Sequence, residues 1–151
     1  MPTDSNQAAI LIRPIQAGDA EVAAALAVQL GYSRSPNAVR AWIQSLHNHP
    51  QQAAFVACLD GEVVGWIESC IQHHLQSEPY ALITGLVVRD GLRGQGIGRL
   101  LLKHAEQWSW DQGVQSVRVT SRSTRGDAHR FYREDGYKDT KTSLVFEKTR
   151  I

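Results

Sequence analysis

The chain has 151 residues, 42% of them apolar, which suits one core in one domain. Its formal net charge is +1, so no global field draws it toward DNA, RNA or a membrane surface. No apolar run reaches the roughly 18 residues of a spanning helix, and the polar opening Met1-Pro2-Thr3-Asp4-Ser5-Asn6-Gln7 lacks the cationic-then-apolar order of a signal peptide.

The expected organisation is a frayed tail over residues 1–8 and a single domain over 9–151, in a cytoplasmic protein. Ile10 to Ile15 alternates as a first strand does. Gly18-Asp19 opens a helix with Asp19 as N-cap and with Val22, Leu26 and Leu30 on one face; Gly31 ends it. Ser35-Pro36 is a second start, a capping serine followed by a proline at home in the first turn. Val39, Trp42, Ile43 and Leu46 form that helix's stripe, and His49-Pro50 closes it. Two apolar runs, Ala53–Leu59 and Val63–Ile71, flank Asp60-Gly61 as a hairpin does. Gln72–Pro79 is polar, a second turn or a long strand end, and Tyr80–Val88 is apolar on both faces, the mark of a central strand.

A helix follows over about Ile97–Gln112, with Ile97, Leu101, Ala105 and Trp108 on one side and Gly113 as C-cap. Val117 and Val119 alternate with polar neighbours in a strand over Ser116–Ser121. Asp127–Glu134 reads as a short helix ended by Asp135-Gly136, and Thr142–Lys148 as a last strand. The order is βααβββαβαβ, one α/β domain with a mixed sheet. Cys58 and Cys70 lie inside apolar runs and read as core residues. His73 and His74 point to opposite faces of any regular strand, so the pair cannot share a metal, and no metal is expected. Trp108 belongs to the core, whereas Trp110 lies off the stripe and is the candidate contact of a homodimer.

Leu92-Arg93-Gly94-Gln95-Gly96-Ile97-Gly98-Arg99 stands between the central strand and the long helix. A strand that turns through glycines into a helix presents main-chain N–H groups at the positive end of the helix dipole, where an anionic phosphate binds. Arg93 and Arg99 add charge, so the ligand expected is a nucleotide-type cofactor held by its pyrophosphate. A P-loop would need Gly-Lys-Ser/Thr, and Gly98-Arg99-Leu100 lacks it. A dinucleotide fold wants Gly-x-Gly-x-x-Gly, but Arg99 holds the place of the third glycine. A turn with glycines for geometry alone is the remaining alternative.

Val87 to Gly98 resembles the acetyl-CoA-binding motif of the GNAT superfamily of N-acetyltransferases, whose core Gln/Arg-x-x-Gly-x-Gly/Ala is met by Arg93, Gly96 and Gly98. Ala128 to Tyr137 is similar to the family's Ala-x-x-Phe-Tyr-x-x-x-Gly-Phe/Tyr segment. The motifs span about residues 82 to 137, and the element order fits throughout. The resemblance implies acetyl-CoA as cosubstrate, no metal, and a GNAT-like fold. Arg93, Gly94, Gln95, Gly96, Ile97, Gly98 and Arg99 would cradle the pyrophosphate. The backbone of Leu86, Val87 and Val88 would bond the pantetheine arm where the fourth strand splays from the fifth. A backbone N–H of Leu86 or Val87 would stabilise the thioester oxyanion.

The acceptor implied is an amine. An alkylammonium titrates near about 10.4, so baring it at neutral pH costs roughly 4–5 kcal/mol and needs a base or water wire. Relatives often carry a glutamate where this chain has Thr84, which can hold a water but cannot act as base; Glu68 on the preceding strand is the nearest substitute carboxylate. His73, His74 and Glu78 are further candidates for the acceptor pocket. Tyr132 matches the family tyrosine that reaches the sulfur of the leaving thiolate, and Phe131 is expected in the core. Arg122 stands where relatives carry an asparagine that bonds the arm, with Ser121 or Ser123 as substitutes. Arg122, Arg125, Arg130 and Arg133 form a basic group suited to the 3′-phosphate of CoA or to a solvated face. The function expected is acetylation of a small-molecule amine, without nucleic acid or membrane. The alternatives are acetylation of a protein or peptide amine, a resistance-type enzyme for polycationic drugs, and a CoA sensor without turnover.

Overall fold

The structure is a computed structural model and describes residues 9–121 and 126–151; the tail expected over 1–8 and Arg122–Arg125 lie outside the described residues. Its elements are β1 (Ile10–Pro14), α1 (Ala20–Ala27), α2 (Pro36–Ser45), β2 (Gln52–Leu59), β3 (Glu62–Gln72), β4 (Tyr80–Val88), α3 (Ile97–Asp111), β5 (Val117–Val119) and α4 (Gly126–Glu134). The chain divides into two compact units, 1–119 and 120–151.

The first unit holds a five-stranded sheet in the order β1-β2-β3-β4-β5, antiparallel except for the parallel β4–β5 pair. Asp60 (φ 53°) and Gly61 (φ 82°) both take the left-handed conformation that a two-residue hairpin between β2 and β3 requires. Successive strand residues serve opposite faces. A Cβ on Gly65 would stand 3.3 Å from Leu101 of α3, while its neighbour Trp66 donates its indole N–H to the Ala23 carbonyl of α1 at 3.1 Å. Thus α3 covers one face and α1 the other. Ile67, Ile83, Ile97, Leu101 and Leu102 are fully buried. Leu26, Val56, Cys58, Val63 and Val87 form a second cluster under α1. Trp108 is half-buried against Ile71, Ala81 and Val114, whereas Trp110 is 46% exposed. Both cysteines are buried and free.

Gly85 lies close beneath Trp66 on the face under α1. A Cβ there would stand 2.7 Å from Cζ3 of Trp66, a rigid ring already tethered to Ala23. Gly85→Ala is therefore expected to lower stability by about 1–3 kcal/mol through overpacking, read as a reduced urea midpoint with an unchanged slope.

Ser35 caps α2 as expected, its Oγ accepting from the Ala38 N–H at 3.1 Å with Pro36 in the first turn. Asp19 differs. It occupies the N-cap position of α1 but makes no capping bond there. Its carboxylate instead accepts from the Gln16 N–H at 2.8 Å and from both guanidinium nitrogens of Arg13 at 2.8 and 2.9 Å. The hydrogen bond from Arg13 is the main reason the buried Asp19 carboxyl lies below the usual carboxylate range. A depressed folded value means the stabilisation is present above the unfolded value of about 3.9 and fades as pH falls through the lower folded one. Asp19→Asn should cost about 1.5–3 kcal/mol at pH 7. In urea titrations between pH 7 and 2, the gap between parent and variant should close below about pH 4.

The last expected strand is a correction. Residues 138–151 form neither helix nor strand, and Leu144, Val145 and Phe146 are 79%, 92% and 88% exposed. A short apolar run such as Leu144-Val145-Phe146 is only half of what a strand needs; without a neighbouring ladder it gains neither hydrogen bonds nor a buried face. The described order is therefore βααβββαβα.

Candidate active site

The site grows from an irregularity in β4. Glu68 pairs with Gly85 and Ser69 with Ile83, which leaves Thr84 as a bulge residue with no partner of its own on β3. The bulge changes which groups face which neighbour. Before it, the Ala81 N–H reaches toward β5 and bonds Ser116 at 3.0 Å. After it, the Arg89 N–H reaches the other way, to Val64 on β3 at 2.7 Å. By alternation the N–H and C=O groups of Leu86 and Val88 face the β5 side, and those of Val87 stay in the β3 ladder. β5 pairs with β4 only from Ala81 to Ile83. Within the first unit, Leu86 and Val88 thus present main-chain groups along an edge that β5 does not reach.

Past Val88 the chain turns, with the Leu92 N–H bonded to the Arg89 carbonyl at 3.1 Å. Gly91, Gly94 and Gly96 all have left-handed φ, at 90°, 84° and 82°. Gly96 is the N-cap of α3, and its carbonyl accepts the first helical bond from Leu100 at 3.1 Å. The N–H groups of Ile97, Gly98 and Arg99 are those of the first helical turn, which have no acceptor within the helix. Ile97 is buried and ties that turn to the core, while Arg93, Gly94, Gln95, Gly96 and Arg99 are exposed. A Cβ at Gly94 or Gly96 would meet no atom within 4 Å, so the space beside these glycines is open. Arg93 makes an exposed ion pair with Asp90 at 3.3 Å. The arrangement is a ring of amides with flanking cations at a helix N-terminus, and its chemistry suits a diphosphate.

Four residues before Val88, on the face covered by α1 and α2, Thr84 and Glu68 meet. The Thr84 hydroxyl donates to one Glu68 carboxylate oxygen at 3.1 Å, and the Trp42 indole N–H of α2 donates to the other at 2.5 Å. Trp42 stacks on His49 with 5.9 Å between ring centroids. Glu68 is half-buried and Thr84 exposed. Each carboxylate oxygen keeps a lone pair beyond the bond it already accepts, so the pair can still take N–H donors from an ammonium.

His73, His74 and Glu78 do not join this cluster. His73 bonds Gln51 at 2.9 Å, and His74 stacks on Tyr80, whose ring also carries the Arg118 guanidinium at 3.9 Å. Tyr80 is the first residue of β4 and the glycine turn follows its last, so these groups stand at opposite ends of the strand.

In the second unit, α4 carries Tyr132, whose ring packs edge-on against Phe131 and Tyr137 at 5.2 and 5.8 Å. Phe131, expected in the core, is half-buried. Gly136 ends the helix with φ 92°, and the Tyr137 N–H returns to the Tyr132 carbonyl at 3.0 Å. Arg133 is engaged with Asp139 through two bonds of 2.9 and 2.7 Å. Arg122, Ser123 and Arg125 lie outside the described residues.

Two contacts escape a reading of the sequence alone. Trp42 reads as one member of an apolar stripe, and nothing local marks its bond to a carboxylate 26 residues away. Gln29 lies in the 3-10 turn after α1; its side chain donates to the Val88 carbonyl at 2.9 Å and accepts from the Asp90 N–H at 3.1 Å. Its one signal is position: it stands three residues after Leu26, a polar side chain on an apolar helix face.

Residues 20–137 match the model of the acetyltransferase (GNAT) family. An aminoglycoside N(6')-acetyltransferase type 1 from Stenotrophomonas maltophilia is 31% identical over 137 residues, 87% of this chain and 89% of that protein. An aminoalkylphosphonate N-acetyltransferase from Salmonella typhimurium is 40% identical over 86 residues, 56% of each chain. Among solved structures, AAC(6')-Iy in complex with the bisubstrate analogue CoA-S-monomethyl-acetylneamine superposes with a TM-score of 0.83 at 19% identity, over 94% of this chain and 99% of that one.

Proposed function

Because the chain belongs to the acetyltransferase (GNAT) family, we propose that it moves an acetyl group from acetyl-CoA directly to the primary amine of a small molecule. The observation that carries this reading is the adjacency on β4 of the glycine cradle, the Leu86–Val88 edge that β5 does not reach and the Glu68–Thr84 pair. The names of two relatives, an aminoglycoside and an aminoalkylphosphonate acetyltransferase, support a small amine as acceptor.

Bound acetyl-CoA supplies an activated acetyl thioester. The amides from Arg93 to Arg99 hold its diphosphate, and Gly94 and Gly96 leave the room for close approach. The Leu86 carbonyl and the Val88 N–H pair with the pantetheine arm, the Val88 carbonyl being held by Gln29, and the Leu86 N–H stabilises negative charge developing on the thioester oxygen. Glu68, aligned by Trp42 and Thr84, receives the ammonium and takes its proton. Tyr132, at the family's tyrosine position, serves as acid to the departing thiolate. The proposed setting is cytoplasmic, with Trp110 as a homodimer contact.

The test is release of free CoA thiol, followed across a panel of aminoglycosides, aminoalkylphosphonates, simple alkylamines and lysine peptides. The reading expects release that depends on a small amine, with one acetyl transferred per thiol. Rates confined to the peptides would overturn the choice of acceptor. Release at the hydrolytic background with every amine would favour a CoA sensor.

A further inference from the structure

We propose that Gln29 is a positioning residue for the donor site: its side-chain amide clamps the junction between β4 and the glycine cradle and sets the affinity for acetyl-CoA. The inference rests on the acetyl-CoA reading of the cradle above.

The geometry is that of a missing strand. One carboxamide bonds two main-chain groups two residues apart, donating Nε2–H to the Val88 carbonyl at 2.9 Å and accepting from the Asp90 N–H at 3.1 Å. A neighbouring β-strand would offer the same donor–acceptor couple. The groups it grips are the last carbonyl of the β4 edge that β5 does not reach and the amide that leads into the turn. Asp90 in turn pairs with Arg93 at 3.3 Å, so the clamp also fixes the residue that holds a cradle arginine in place. On the β3 side the same junction is pinned by the 2.7 Å bond from Arg89 to Val64. Gln29 is the counterpart on the side where β5 does not reach.

The requirement is specific. One donor and one acceptor are needed at fixed positions, and among side chains of this length only glutamine carries both. Glutamate could still accept from Asp90 but has no proton for Val88. Methionine keeps the bulk and loses both bonds. Pre-ordering of the loop lowers the entropy that cosubstrate binding must otherwise supply, so the effect belongs in affinity for the donor rather than in the chemical step.

The experiment compares Gln29→Met and Gln29→Glu with the parent by calorimetric titration of CoA and by steady-state kinetics. We expect the Kd for CoA and the KM for acetyl-CoA to rise about tenfold in Gln29→Met, with kcat and the KM for the amine within about twofold of the parent. Gln29→Glu should be no better, since it keeps one bond and adds a carboxylate beside the Val88 oxygen. Tm should fall by less than about 4 °C, because the released groups can turn to water. An unchanged Kd in Gln29→Met would overturn the clamp, and so would a change confined to the KM for the amine. If the parent itself gives no CoA binding, it is the acetyl-CoA reading that falls.

Discussion

Gly96→Asp is expected to weaken CoA binding by at least about 100-fold while the protein remains folded. Two effects add at this position. Gly96 has φ 82°, so a side chain there strains the turn, and relief of that strain moves the amides that must face the ligand. The new carboxylate would also stand beside the amides proposed to face a diphosphate, where like charge opposes binding. About 2.7 kcal/mol in all corresponds to a hundredfold loss of affinity. Gly96→Ala separates the two effects. A Cβ there meets no atom within 4 Å, so alanine brings backbone strain without a steric block and without charge. Its loss should be clearly the smaller. Circular dichroism and Tm of both variants check that the core under Ile97 and Leu101 survives.

Glu68→Gln is expected to lower kcat by about 100-fold with the KM for acetyl-CoA unchanged. The reasoning is that an ammonium must lose a proton worth roughly 4–5 kcal/mol at neutral pH before it can attack, and glutamine cannot accept it. Raising the pH should recover part of the loss, because the amine then deprotonates in solution. In the parent the same rise in pH should bring a smaller gain. A Glu68→Gln enzyme with parental kcat and an unchanged pH profile would assign the proton to water alone. Thr84→Val tests the partner bond: it removes the hydroxyl that donates to Glu68 and should have a smaller effect than loss of the carboxylate itself.

Much of the fold could be read from the residues because its signals are local. Asp60-Gly61 announces a two-residue hairpin, Ser35-Pro36 a helix start, and the glycines after Val88 a turn into α3, and each appears at its place. The sites of failure share a cause. Asp19 has the right type and position for a cap, but Arg13 offers it a stronger partner, and that choice depends on how β1 lies beside α1. The Thr84 bulge has no mark in a segment that is otherwise apolar, since it is defined only by the register with β3. Yet it decides that Leu86 and Val88, rather than Val87, present main-chain groups to the edge that β5 does not reach. Thr142–Lys148 carries the short apolar run of a strand, Leu144-Val145-Phe146, but such a run does not provide the partner. The candidate site divides the same way. Cradle residues were visible as a motif, whereas Trp42 and Gln29 act on residues 26 and at least 59 positions away and can be recognised only once the helices are packed.

The central claim is that main-chain amides between Arg93 and Arg99 grip a diphosphate. The direct measurement is calorimetric titration of the purified parent with CoA and, separately, with pantetheine, which shares the arm but lacks the nucleotide and the diphosphate. The account predicts saturable heat with CoA, affinity for pantetheine weaker by at least about 100-fold, and near loss of the difference between the two ligands in Gly96→Asp. Equal affinity for CoA and pantetheine in the parent, or a Gly96→Asp protein that binds CoA as the parent does, would contradict it.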